Sequence, residues 1–248
     1  MSTLTATLIG GPTAVMEYGG LHWLTDPALS PPGDYEYLTK TTGPALDIAP
    51  FEPIDAVLLS HDQHADNLDP AGREVLPRAG TVLTTVAGAE RLGGNAVGLA
   101  PWETTTVGDV TVTAVPARHG PYGCEPVTGD VTGFVLAADG AERVYVSGDN
   151  ASVDVVREIA RRLGSIPVAV LFCGAVQIPV RFDGAYLTLS ADHAADVTLA
   201  LGARAVVPVH FEGWAHFTQG VDALRAAFAG NGIGDRLVVA DRGETVTV

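Results

Sequence analysis

The sequence is poor in lysine, in cysteine and in positive charge, and each shortage excludes a class of protein. Lys40 is its one lysine, and 14 basic residues face 29 acidic ones, for a net charge of −15. A surface this acidic repels phosphate backbones, so we expect no nucleic-acid partner. The two cysteines, Cys124 and Cys173, lie far apart and match no zinc-ligand spacing, so a disulfide framework is not expected.

Long apolar runs are also missing. No stretch approaches the roughly 18 apolar residues that span a bilayer, so no membrane association is expected. The opening residues, MSTLTATLIGG, do not place an apolar segment after a basic one, as a signal peptide does. Together with the unpaired thiols, this predicts a cytoplasmic protein.

Apolar residues make up 47% of the chain, which is enough for a sizeable core. No Pro/Ser-rich linker or charge run divides it, so we predict a single domain over residues 1–248. Three strands joined by Gly-Gly turns are predicted over residues 3–26. Helices are predicted near residues 70–76, 151–164, 190–202 and 221–230. Because strands outnumber helices and helices fall in both halves, we expect two mixed sheets packed face to face with helices outside.

Four apolar runs end in side chains that can bind a metal ion. DAVLLS is followed by the segment 61–66, VTVTAVPAR by His119, RVYVSG by Asp149 and RAVVPV by His210. Strand ends are rigid platforms, and side chains from several of them can converge on one point. Imidazole and carboxylate groups suit zinc, manganese or iron. One such histidine is usually a loop residue bonded to backbone, but four positions together predict a metal site.

These motifs resemble those of the metallo-β-lactamase superfamily, and most of all its branch of L-ascorbate-6-phosphate lactonase-like hydrolases. The resemblance covers nearly the whole chain. Residues 8–27 are similar to the opening meander, SHDQHADNLD to the first metal motif, PARHGP to the loop that bears a histidine, VSGD to the bridging-aspartate strand and VPVHFEGWAHF to the last histidine. The fold implied is α/β, a four-layer αββα sandwich of two mixed β-sheets with outer helices.

The first metal motif departs from the superfamily pattern His-x-His-x-Asp-His. Aligned on Asp66, the second histidine is His64, and Asn67 stands in place of the last histidine. The first position falls on Asp62, with His61 one residue earlier. Two alternatives stay open: a one-residue bulge brings His61 to the metal, or Asp62 replaces it with an oxygen donor. The amide oxygen of Asn67 would be a weak zinc ligand but suits manganese or magnesium.

The resemblance implies one or two divalent ions, zinc or manganese above others, in two sites that share a bridging aspartate. The first site is expected to hold His61 or Asp62 together with His64, His119 and Asp149. The second is expected to hold Asp66, His210, Asp149 and, more weakly, Asn67. The turn at Pro12 is a second departure, because many relatives carry a histidine close to it. Asp26 is expected either to support a metal-binding histidine from behind or to close a turn.

The chemistry expected is hydrolysis of a small molecule, a lactone, ester or phosphodiester, with a metal-activated water. Asp66 is the expected general base or proton shuttle. His216 either donates a proton to the leaving oxygen or packs beside Trp214 and Phe217. Arg181, in the long segment 174–190, either recognises an anionic group or lies on an ordinary surface loop.

A protein of another class is the alternative: a catalytically degenerate member of the same fold that binds metal or senses a ligand. The substitution at Asn67 and the displaced His61 favour it, whereas the retained Asp66 favours an enzyme. The partner expected is a small-molecule substrate. The substrate, the native ion and a homo-oligomeric state are left open by the sequence.

Overall fold

The structure, a computed structural model, describes residues 4–178 and 182–248. Its strands in chain order are β1 (Thr5–Gly10), β2 (Thr13–Tyr18), β3 (Leu21–Thr25), β4 (Gly33–Tyr35), β5 (Leu38–Lys40), β6 (Ala56–Leu58), β7 (Thr81–Thr84), β8 (Ala96–Gly98), β9 (Thr104–Val107), β10 (Val110–Pro116), β11 (Thr132–Ala137), β12 (Val144–Val146), β13 (Val168–Phe172), β14 (Ala205–Val209) and β15 (Thr245–Thr247). Its α-helices are α1 (Pro70–Val75), α2 (Val86–Leu92), α3 (Glu125–Thr128), α4 (Val153–Leu163), α5 (Ala191–Leu201) and α6 (Val221–Gly230).

Two mixed β-sheets form the centre of the fold, as predicted. The first has the order β15-β1-β2-β3-β6-β7-β8 and changes from antiparallel to parallel pairing at β3. The second has the order β14-β13-β12-β11-β10-β9 and is parallel from β14 to β12 and antiparallel beyond. Strands β4 and β5 form a separate hairpin.

The predicted meander and helices are present, and their ends follow from local chemistry. Gly11 and Gly19 take positive φ angles of 58° and 62° in the two turns of the meander, where a side chain would be strained. Helix α4 begins after Ser152, whose hydroxyl accepts the Val155 N–H, and ends at Gly164. Helix α2 and the β4–β5 hairpin were not predicted, because both are short and lack a long apolar period.

The core lies between the sheets and beneath the helices. Successive residues of a strand face opposite sides, so Trp23 joins the main core while Leu24 faces α1 and its neighbour Leu76. On the other side of the molecule, helix α5 packs against both α4 and α6. Val156 of α4 and Phe228 of α6 are fully buried there. The arrangement is the four-layer αββα sandwich that was expected.

The strands also bring the expected metal ligands to one edge of the sandwich. His61, His119, Asp149 and His210 come shortly after the ends of β6, β10, β12 and β14. Strands β6, β12 and β14 each pair in parallel with a neighbour, so their carboxyl ends carry loops on the same side of a sheet. None of the helices in the described segments has the length and apolar character needed to cross a bilayer.

Candidate metal centre

Three histidines and an aspartate converge in the first of two neighbouring groups. His61 Nε2 lies 2.8 Å from His64 Nδ1, and His119 Nε2 lies 3.2 Å from the same His64 atom. Asp149 Oδ2 lies 3.7 Å from His119 Nε2. One ligand atom from each of these four residues lies within 4.8 Å of all the others. The group therefore has the size and the donors to surround one cation.

A second group shares Asp149 with the first. His210 Nε2 lies 3.6 Å from Asp149 Oδ1 and 3.3 Å from Asp66 Oδ2. These three residues also keep one ligand atom each within 4.8 Å of one another. Since one oxygen of Asp149 faces His119 and the other faces His210, this carboxylate stands between two candidate ion positions.

Several atoms of the second group, and one of the neighbouring Asn67, have no hydrogen-bond partner among the described residues, although they are buried. They are Asp66 Oδ1, Asn67 Oδ1, both carboxylate oxygens of Asp149 and both ring nitrogens of His210. Burying a charge without a partner is costly, and native proteins seldom do so. Cations between the carboxylates would satisfy these atoms, and the mixture of imidazole and carboxylate donors suits zinc or manganese. The residues present thus fit the expected ions.

Contacts behind the histidines orient their rings toward the centre. His119 Nδ1 lies 2.6 Å from the Leu187 carbonyl oxygen, to which it donates, leaving the lone pair on Nε2. The Ser60 hydroxyl donates to Asp26 Oδ2 at 2.6 Å, so its oxygen is left to accept from His61 Nδ1 at 3.0 Å. Such a partner, present behind the rings of His61 and His119, is what histidine ligands of metal ions ordinarily have.

Burial sets the protonation of these groups. It lowers the pKa of His119 and, helped by repulsion from His64, lowers that of His61 well below its usual value. Both rings are then neutral at pH 7, as metal binding requires. Burial opposes ionisation of Asp66, but contacts with His210 and His216 outweigh it and hold the pKa of that carboxyl well below its usual range. Burial raises the pKa of Asp26 to about 7.

Of the two candidates for the first ligand position, it is His61 that lies in the cluster. The carboxylate of Asp62 faces the other way and is bound by the Arg91 guanidinium, with Nε 2.9 Å from Oδ2. The interpretation of Asp62 as a ligand is therefore wrong for this conformation, because its oxygens are occupied by an arginine. Asn67 donates its amide N–H to Asp26 Oδ2 at 2.9 Å, so its own oxygen points away from that carboxylate.

His210 sits in a strained position at the end of β14. Its φ of 57° lies in the left-handed region that side chains other than glycine seldom adopt. Its N–H donates to the Gly11 carbonyl at 2.7 Å, and its ring stacks on Phe172 with centroids 5.4 Å apart. The turn that contains Pro12 thus binds the backbone of His210. It also connects strands β1 and β2, as expected of a turn at this position.

A cavity of about 490 Å³ opens over the first group. We call the part of its lining formed by His64, Asp66, His119 and His216 the polar floor; Tyr37, Thr128 and Gln177 add further polar groups. Its apolar wall consists of Leu38, Val127, Val176, Ile178, Phe182 and Leu187. His216 Nε2 lies 2.9 Å from Asp66 Oδ2, and its ring packs against Trp214 and Phe217 as one of the two expectations has it. Its role as a proton donor stays a prediction. Arg181 lies outside the described residues.

Comparison with known proteins identifies the protein family to which the residues of this centre belong. The sequence pattern of the beta-lactamase superfamily domain matches residues 23–211, which include every ligand candidate named above. This chain belongs to that superfamily. A UPF0173 metal-dependent hydrolase of Methanosphaerula palustris is 30% identical over 185 residues, which cover 72% of this chain and 77% of that protein.

Two solved structures share the fold of this superfamily member. A possible metal-dependent hydrolase from Veillonella parvula has a TM-score of 0.87 at 20% identity, over 98% of this chain and 99% of that one. The isothiocyanate hydrolase from Delia radicum gut bacteria has a TM-score of 0.84 at 21% identity, over 98% of each chain. At these identities the likeness shows the fold alone. The lactonase-like branch is not singled out by these matches and stays a prediction.

Sequence reasoning missed several residues of this superfamily centre. Ser60 and the Leu187 carbonyl orient ligand rings, and Tyr37 from the β4–β5 hairpin has its ring centroid 6.4 Å from that of His64. Arg91, which binds Asp62, comes from α2. Ser60 is adjacent to His61 and could have been noticed. The others carry no local signal, because they reach the centre from distant parts of the chain.

Proposed function

We propose that this protein is a metal-dependent hydrolase that cleaves a small, uncharged ester or lactone at a centre of two divalent ions. The observation that carries the proposal is the cavity described above, in which an apolar wall faces a polar floor of His64, Asp66, His119 and His216. A substrate that fills it would place its apolar part against the wall and its reacting bond over the floor.

The charge of the described part of the lining favours a neutral substrate over a phosphodiester. In the described part of its lining there is no lysine or arginine. Sites that bind phosphate ordinarily supply such cations. The lining adds the carboxylate of Asp66, and the chain as a whole carries a charge of −15, so the described protein groups, apart from the ions, disfavour an anionic substrate.

The two groups of ligands would each hold one ion. His61, His64, His119 and Asp149 would hold the first ion, and Asp66, His210 and Asp149, with the amide oxygen of Asn67, the second. When bound, a divalent ion lowers the pKa of water from about 15.7 towards 7 and polarises a substrate carbonyl.

The proton steps fall to the pair formed by Asp66 and His216. Hydrolysis joins the oxygen of water to the acyl carbon and breaks the bond from that carbon to the leaving oxygen. Asp66 would take the proton that the water loses, and His216, at the cavity floor and 2.9 Å from Asp66, would give a proton to the leaving oxygen. The products are a carboxylic acid and an alcohol, joined in one molecule when the substrate is a lactone.

The same pair supports an enzyme over a catalytically degenerate member of the fold. A protein that kept its metal for stability alone would need ligands, but it would have no need of an acid–base pair that lines an open cavity. His216 belongs to neither ligand group of described residues, and both it and its partner Asp66 line the cavity.

Isothiocyanates are a second candidate class. They are small, uncharged and electrophilic at carbon, so the apolar wall suits them as well. The Delia radicum gut-bacterial protein with the same fold is an isothiocyanate hydrolase.

The experiment compares kcat/KM of the zinc- and manganese-loaded protein on four probes. They are a short p-nitrophenyl ester, a γ-lactone, phenethyl isothiocyanate and bis-p-nitrophenyl phosphate, with chelator-stripped protein as the control. We expect metal-dependent cleavage of a neutral carbonyl compound to exceed that of the phosphate diester by about 100-fold or more, which corresponds to a difference of about 2.7 kcal/mol or more in activation free energy. A preference for the phosphate diester would refute the proposed substrate class. Turnover of the isothiocyanate alone would select the second candidate.

A further inference from the structure

Asp62, one of the two residues between His61 and His64 in the metal loop, is held away from the centre by arginines of two helices. Asp62 is 4% exposed, and its carboxylate accepts hydrogen bonds from Arg91 Nε at 2.9 Å and from Arg91 Nη2 at 2.5 Å. Its backbone carbonyl receives Arg73 Nη2 at 2.6 Å. Arg91 belongs to α2 and Arg73 to α1. The side chain and the main chain of one loop residue are therefore fixed independently.

The first turn of α2 leaves room for this carboxylate. A Cβ atom at Gly88 would lie 3.3 Å from Asp62 Oδ1 and 2.9 Å from the hydroxyl oxygen of Thr85, which caps the helix. The loop is thus packed closely against the helix, and a side chain at position 88 would press on the Asp62 carboxylate.

This arrangement decides which residue enters the metal centre. In a His-x-His pattern the residue two before His64 would face the ion, and here that residue is Asp62, whose carboxylate is itself a competent ligand. With Asp62 turned to Arg91, His61 presents Nε2 to His64 Nδ1 at 2.8 Å. A carboxylate released from its arginine would compete with this imidazole for the same ion.

We propose that Arg91 is a positioning residue that keeps Asp62 out of the metal centre and thereby makes His61 the first ligand. Arg73 assists by holding the peptide of Asp62. The inference rests on the proposed function, because it presupposes a metal ion at this centre. Its consequence is a nitrogen-rich first site, with three imidazoles and the carboxylate of Asp149.

The test uses Co²⁺ as the probe ion, added to chelator-treated protein, with affinity and visible absorption spectrum as readouts. In Arg91→Ala we expect the affinity for Co²⁺ to fall about 10- to 100-fold, the size of effect that changing an outer-shell residue of a metal site ordinarily has, and the spectrum to change. The spectrum changes because an oxygen donor enters or His61 leaves. In the double variant Arg91→Ala/Asp62→Ala the parent spectrum should return, since nothing then competes with His61.

Arg204→Ala is the matched control. Arg204 donates hydrogen bonds to both carboxylate oxygens of Glu142, and its side chain is 51% exposed, close to the 43% of Arg91. Unlike Arg91 and Asp62, Arg204 and Glu142 lie away from the metal centre. We expect it to leave the spectrum unchanged. If Arg91→Ala does not fold, Arg91→Lys, which keeps the charge but not the planar fork, should show the same change in smaller degree.

Three outcomes would count against these ideas in different ways. An Arg91→Ala protein with the parent affinity and spectrum would overturn the positioning role, and so would a changed spectrum that persists in the double variant. A parent protein that takes up no Co²⁺ would instead overturn the proposed function itself.

Discussion

His216 Nε2 lies 2.9 Å from Asp66 Oδ2, although 150 positions separate the two residues in the chain. The side chain of His216 is 15% exposed and that of Asp66 is 5% exposed, so the pair connects the buried centre to the open cavity. A proton taken up at the centre therefore has a direct route to a group at the cavity floor.

Replacing His216 should slow the reaction most for substrates whose leaving group needs a proton. We expect His216→Ala to lower kcat about 10²- to 10⁴-fold on an ethyl ester, whose alkoxide is a poor leaving group. The loss on the p-nitrophenyl ester should be much smaller, because p-nitrophenolate leaves without protonation. Steady-state kinetics on both esters measures the difference, and metal content should stay at the parent value.

His22→Ala is the control for this prediction, since His22 is a partly exposed histidine of β3 that pairs with Glu17 away from the centre. It should behave as the parent on both esters. Equal losses on the two esters in His216→Ala would show that His216 binds substrate and does not act as an acid.

Metal content should follow the division of ligands between the two groups. Protein purified without chelator or added metal should carry two ions per chain, because two groups can each surround one. His64→Ala should lose one ion, whereas Asp149→Ala should lose both, since Asp149 belongs to both groups. Metal analysis by mass spectrometry, with the exposed-residue variant Asp154→Ala as control, gives these numbers.

The Asn67 variant separates a two-ion centre from a one-ion centre. If the amide oxygen is a ligand, Asn67→Ala should retain the first ion and lose the second. One ion in the parent, lost in His64→Ala and unaffected in Asn67→Ala, would show a mononuclear centre. If the protein binds no metal even after divalent ions are added to it, the hydrolase proposal is refuted.

Lys40 should contribute strongly to stability and to the shape of the cavity. It is 4% exposed, donates to the Ala28 carbonyl at 2.7 Å and lies 3.0 Å from Asp69 Oδ2. Lys40→Met leaves Asp69 buried without its cation, which ordinarily costs about 3–5 kcal/mol of unfolding free energy. Backbone N–H groups of Leu29 and Ser30 still bind that carboxylate, so we expect the lower end of this range.

Urea unfolding of the metal-free protein measures this loss. The exposed pair removed in Arg204→Ala should cost no more than about 1 kcal/mol and serves as the comparison. Since Lys40 ends the hairpin that brings Tyr37 and Leu38 to the cavity, KM should rise in Lys40→Met with little change in kcat. Equal stability of the two variants would contradict this account of the buried pair.

The sequence predicted the main elements of the fold because their signals are local. The meander over residues 3–26 and the helices ended by Gly164 and Gly202 each show a regular apolar period and a turn or cap residue at the end. Helix α2 lacked such a period over its seven residues and was missed. It is nevertheless the helix that carries Arg91.

The donor set of the centre was equally visible in the sequence. His119, Asp149 and His210 follow apolar runs, and a strand end fixes where a side chain emerges, so their convergence could be expected before the structure. The identity of a donor is a property of one residue, and its approximate place is a property of one strand.

The direction in which irregular loop residues point was decided by tertiary structure alone. Whether His61 or Asp62 faces the centre depends on Arg91, which lies 29 positions from Asp62. A hydrogen-bond partner of Asp66 is His216, which lies 150 positions away. A loop residue has no periodic backbone to orient its side chain, so the strongest available contact orients it. That contact comes from residues that only folding brings near. The sequence thus determined which ligands are offered, and the packing of distant helices and loops determined which of them meet.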